Sequence, residues 1–175
     1  MLPRSHVDFV SLSSYDFQNY HLWPRPRTAE TIRERTFAVL DYVEQHLPPR
    51  DIPGKRVFIG EIGHTWEQIA RQDDISIEAA ALQQARAALI QAKVNLEWGV
   101  PIWLWWSTFS SREGTFGLMD NHTNKPSPLM RQLFEYYQWA RTFTENHQNV
   151  HGILPHPDTF RRAAVEQLGK QIQKL

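Results

Sequence analysis

Short, nearly continuous apolar runs alternate in this chain with longer segments whose apolar residues recur at helical spacing. The first run, Val7 to Tyr15, is β-branched and aromatic and predicts a strand. After a loop rich in Pro and aromatics, Asp16 to Arg27, Thr28 reads as an N-cap with Glu30 in the first turn. Ile32, Phe37, Val39, Leu40, Val43 and Leu47 supply one face of that helix, and Pro48-Pro49 stops it. Arg56-Val57-Phe58-Ile59-Gly60-Glu61 predicts a second strand, followed by a polar loop through Asp73-Asp74. Ser76 caps a long helix rich in Ala, Leu and Gln that ends near Trp98, where Gly99 suits a left-handed C-cap. The third strand is Val100 to Trp106. A turn-rich loop with Gly114, Gly117, Asp120-Asn121 and Lys125-Pro126 comes next. Ser127-Pro128 then begins an amphipathic helix carrying Leu129, Leu133, Phe134, Tyr137, Trp139 and Phe143. From Asn149 a Pro- and His-containing link leads to a terminal helix from Asp158 to about Lys174.

The order β-α-β-α-β-α argues an α/β fold with a parallel sheet covered by helices. Such sheets gather chemistry at the carboxyl ends of their strands, which singles out Tyr15, Glu61 and Trp106. Strict alternation puts Val57, Ile59 and Glu61 on one face, with Phe58 and Gly60 on the other. A carboxylate ending an apolar strand must be desolvated, paired or used, so Glu61 is either a buried partner of an arginine or a reactive group. Tyr15, on the face of Phe9, Ser11 and Ser13, offers a phenol that can donate to a carboxylate; as a packed aromatic it needs no such role. Trp103 and Trp105 read as core, whereas Trp106, on the opposite parity, is the better sugar platform. His64 and Trp66 belong to the loop above the second strand and are candidates to line a site.

Composition narrows this picture mainly by exclusion. The chain has 175 residues, and nineteen basic residues cancel nineteen acidic ones, so no net field draws nucleic acid or an anionic membrane. No apolar run approaches the roughly 20 residues that span a bilayer. With no cysteine, disulfides, thiolate catalysis and the common structural zinc sites are absent, and the compartment stays open. The eight histidines read as scattered, without HExxH, so no metal site is expected, and His147 to His156 reads as a linker. Neither GxSxG, GxGxxG nor a P-loop is present, and no cofactor is expected. One excess remains: of seven Trp, four lie between Trp98 and Trp106.

Taken in order, the segments Asp8 to Asp16, Val57 to Gly63 and Gly99 to Trp106, with Gly117-Leu118-Met119-Asp120 and Lys125-Pro126, resemble the end of a known barrel family. They are similar to the last three βα units of clan A glycoside hydrolases, the cellulase-like (β/α)8 TIM barrels of the family-five type. The resemblance covers roughly residues 6 to 145 and rests on four motifs in order rather than on one. It implies a partial (β/α)8 TIM barrel over residues 1–148 and a C-terminal linker and helix over 149–175. It also implies retaining hydrolysis of a β-linked oligo- or polysaccharide. Glu61 would be the nucleophile, Tyr15 its hydrogen-bonding partner and Trp106 the floor of the sugar subsite, with His64 and Trp66 near the substrate.

The departure from the family is as informative. A retaining enzyme needs two carboxyl groups about 5–5.5 Å apart, and the family's strand-four Asn-Glu has no counterpart here; Asp16 and Glu113 are stand-ins by position only. A closed barrel needs at least about 200 residues. The expectation is a catalytic-domain fragment, inactive or weak alone, with self-association or a separate amino-terminal half covering the open edge. Two further readings stay open. One is a non-catalytic carbohydrate-binding or interaction half-barrel using Trp106, Tyr20 and Trp23. The other is an unrelated three-unit α/β fold.

Overall fold

A computed structural model of the chain describes residues 8–13, 28–49, 51, 53–100, 103–105, 117–120 and 123–175. Three strands, β1 (Val10–Ser13), β2 (Val57–Ile62) and β3 (Trp103–Trp105), form a parallel sheet in the order β1-β2-β3. Helices α1 (Ala29–Gln45), α2 (Trp66–Asp73) and α3 (Ile77–Trp98) fill the crossovers, and α4 (Pro128–His151) and α5 (Pro157–Lys174) follow. The α/β class and the parallel sheet agree with the strand–helix alternation of the sequence.

The helix boundaries follow local chemistry. Thr28 and Thr31 form a reciprocal capping box, in which each side-chain oxygen accepts from the other residue's backbone N–H. Ser76 and Ser127 each accept from the backbone N–H three residues on. Gly99, at φ 100°, closes α3 in the left-handed region that glycine enters without steric cost.

Two elements differ from the expectation. The polar loop after β2 contains α2, capped by Thr65; its eight residues bury only Trp66 and Ile69, too short an apolar pattern to stand out. Within the turn-rich segment, Met119–Asp120 (β4) and Lys125–Pro126 (β5) pair as an antiparallel two-stranded ladder. Moreover, α4 continues to His151, so the expected linker from Asn149 begins inside a helix.

The main core lies between the sheet and α1, α3: Leu40, Val57, Ile59, Ile62, Trp98 and Val100 are buried, with Val10, Leu12, Trp103 and Trp105 packed against them. Trp103 and Trp105 thus take the core side expected for them. Burying a Leu, Ile or Val side chain contributes about 1.5–3 kcal/mol each, and this layer is what keeps the sheet's side-chain register. α3 is the central helix and packs against α1, α2, α4 and α5. Its buried face includes Ala80, Ala81, Ala85 and Ala88, which allow close approach, and also Gln84, Gln91 and Asn95. Gln91 donates to Thr36 and Asn95, joining α3 to α1 through a buried polar contact. α5 packs on α3 and α4 and buries Ala164, Leu168 and Gln171, and Gln171 Nε2 donates to the Gln132 carbonyl of α4 at 2.9 Å.

Candidate site at the carboxyl end of the central strand

Glu61 stands near the end of β2, the middle strand, where loops from a parallel sheet form a crevice. Its face is not the one strict alternation predicts. Val10 pairs with Val57, Ser11 with Phe58 and Leu12 with Ile59, but Ser13 pairs with Glu61, so Gly60 is an inserted residue. Such a bulge sets two residues of one strand against one of the next and re-aims the side chains that follow. Ile62 therefore takes the buried position after Val57 and Ile59, at 0% exposed. Glu61 turns to the face of Ser11 and Ser13, where its Oε2 accepts from Ser13 Oγ at 3.2 Å. The expectation that Glu61 shares a face with Val57 and Ile59 is corrected by this bulge.

A side chain at the bulge would crowd β1. A Cβ on Gly60 would lie 2.0 Å from Ser11 Oγ and 3.3 Å from Ser11 Cβ. Close approach of β1 to β2 thus brings the Ser13 hydroxyl within reach of the carboxylate.

The segment beyond Glu61 is unusual for a loop, since residues 62–66 are all buried. A buried loop must find partners for its backbone polar groups. Gln84 of α3, itself 0% exposed, supplies one. Its Nε2 donates to the His64 carbonyl, and its Oε1 accepts from Trp66 Nε1 at 2.8 Å. Gln84 therefore ties the β2–α2 connection to the central helix. Sequence reasoning passed over it because a glutamine inside a Gln-rich helix carries no motif; its partners come from a different element.

His64 is 5% exposed and Trp66 8% exposed, so both are buried, not loop residues open to solvent. Trp66 packs with Ile69, Ala80 and Ala81, its indole N–H committed to Gln84. That placement makes Trp66 a packing residue and gives it no open ring face for a sugar. His64 lies three residues beyond Glu61, in the segment Gln84 holds. Tyr15 and Trp106 lie outside the described residues, as do Tyr20, Trp23, Asp16 and Glu113. Of the five site candidates, the structure gathers Glu61, His64 and Trp66 around one strand end. It adds Ser13 as a direct partner of the carboxylate and Gln84 as the support beneath the loop.

Among the described residues, no group of three or more His, Asp or Glu is gathered to hold a metal ion. None of the described helices is long and apolar enough to cross a membrane. No family model, curated protein or solved structure matches the chain.

Proposed function

We propose that the chain carries the last three βα units of a retaining glycoside hydrolase barrel, with Glu61 as the nucleophile that attacks an anomeric carbon. The single observation that carries this reading is the placement of Glu61. It is a carboxylate near the carboxyl end of the central parallel strand, turned by a bulge away from the helix layer and held by Ser13. A nucleophile needs that combination: an exposed approach, a fixed rotamer and a hydrogen bond that orients without neutralising it. In this reading Tyr15 donates to Glu61 and Trp106 floors the sugar subsite, as the resemblance implies. The substrate class is a β-linked oligo- or polysaccharide. The second carboxyl group belongs outside these three units, so the chain alone hydrolyses such substrates weakly or not at all.

The test is chosen to be independent of the missing acid. An activated 2-deoxy-2-fluoro-β-glycosyl donor has a leaving group that departs without protonation, so covalent trapping reports the nucleophile alone. Intact-mass analysis should show one fluoroglycosyl group per chain, located on the peptide containing Glu61 and absent from Glu61→Gln. Glycan binding that persists in Glu61→Gln, together with no trapping in the native chain, favours the carbohydrate-binding reading instead.

A further inference from the structure

Two histidines read from sequence as part of a linker come together because α4 continues to His151. His147 and His151 are four residues apart on one helix, so one imidazole lies a turn above the other. Their ring centroids are 4.5 Å apart and their planes 50° apart. We propose that this pair is a chelating site for a borderline divalent transition-metal ion, with Cu2+ as its preferred occupant.

The hydrogen bonding of His147 identifies the ligating nitrogen. Its Nδ1 lies 3.0 Å from the Ile153 carbonyl oxygen. A carbonyl can only accept, so Nδ1 carries the proton and Nε2 keeps the lone pair. This is the outer-shell arrangement that fixes the tautomer and orientation of metal-binding histidines. The turn that brings Ile153 back is made by Gly152, whose φ of 73° caps α4 in the left-handed region. The same helix end contributes electrostatically, because its last carbonyls carry partial negative charge and favour a cation.

Spacing lets the two rings share one ion, and ligand chemistry selects which ion. With metal–nitrogen bonds of about 2.0–2.1 Å, an imidazole centroid sits about 3.2 Å from the ion; two rings at a right angle are then about 4.5 Å apart, and at a tetrahedral angle about 5.2 Å. The observed 4.5 Å is the ordinary separation of rings one helical turn apart, as the 4.3 Å between Tyr42 and His46 shows, and it is close enough for two imidazoles to share one ion. The ion's identity follows from the ligand type. Among first-row divalent ions Cu2+ binds such ligands most tightly. Since no group of three or more ligands is gathered among the described residues, two nitrogens come from the protein and water fills the remaining positions.

His46 provides an internal control. Its Nδ1 lies 2.7 Å from the Tyr42 carbonyl, so it has the same locked tautomer. The ring one turn from it, however, belongs to Tyr42 and offers no second imidazole.

The experiment uses the full, tag-free chain after chelator treatment, titrated with Cu2+ and separately with Zn2+ by calorimetry, with electron paramagnetic resonance of the Cu2+ sample. The expected result is one Cu2+ per chain, bound more tightly than Zn2+, with hyperfine structure from two equatorial imidazole nitrogens. His147→Ala and His151→Ala should each weaken Cu2+ binding at least about tenfold, the lower end of what losing part of a metal site costs. His147→Gln should do the same while keeping a polar side chain, and His46→Ala should leave the affinity unchanged. Unchanged affinity in either His147→Ala or His151→Ala overturns the proposal. So does an equal loss in His46→Ala or His156→Ala, which would mark diffuse binding to surface histidines.

Discussion

Replacing Gln84 with methionine tests whether the buried connection after Glu61 depends on one side chain of α3. Methionine keeps the length and flexibility of glutamine but cannot donate to the His64 carbonyl or accept from the Trp66 indole. Both groups belong to buried residues, so each is left without its partner rather than returned to water. An orphaned buried donor or acceptor costs about 1–3 kcal/mol. Two would give about 2–6 kcal/mol, and the better hydrophobic transfer of methionine offsets part of that, leaving about 3 kcal/mol as the expected loss. With a urea slope of about 2 kcal/mol/M, the midpoint falls by about 1.5 M. The assay is urea unfolding followed by circular dichroism. A double-mutant cycle with Trp66→Phe removes the general cost of each change. Trp66→Phe should cost about 1–2 kcal/mol less in the Gln84→Met background, because the indole bond is already lost there. An unfolding free energy within about 0.5 kcal/mol of the native chain's, or equal Trp66→Phe costs in both backgrounds, would refute the reasoning.

Two other perturbations probe the bulge and the aromatic face of α4. Gly60→Ala should destabilise by about 1–3 kcal/mol through overpacking against Ser11, and its cost should shrink when Ser11 is glycine; equal costs in both backgrounds, by chemical denaturation, would show that the close approach is not what requires glycine. Burial beside Trp139 raises the Tyr136 phenol above its ordinary value of 10.0. Above that pH the unfolded chain gives up this proton first, so stability falls as pH rises through the folded value. A phenolate absorbance titration should show a late-ionising tyrosine that disappears in Tyr136→Phe, and the alkaline loss of stability should become shallower in that variant.

Local and periodic features of this protein are written in its sequence. Thr28, Ser76, Ser127 and Gly99 mark helix ends through bonds to residues within a few positions, and all four do so in the structure. Val57 and Ile59 declare a buried strand, and a carboxylate closing that strand draws attention to Glu61 without any other information. The parallel sheet follows from alternating strands and helices, because only crossover connections of that length can join parallel neighbours.

What the tertiary structure decided is the direction and company of those residues. Period-two counting assigns Glu61 to the core side, but a single inserted residue inverts every later side chain, and only pairing with β1 reveals that Gly60 is inserted. His64 and Trp66 read as loop residues from sequence and are buried in the structure, and Gln84 acquires a role only from partners 20 and 18 residues away in the chain. His147 and His151 become a pair only if the segment is helical, which depends on α4 continuing to the Gly152 cap. Caps and turns depend on neighbours in sequence; strand register, burial and the convergence of polar groups depend on which surfaces meet in space. That is why the carboxylate was legible from residue order alone, whereas the face it presents was settled only by packing.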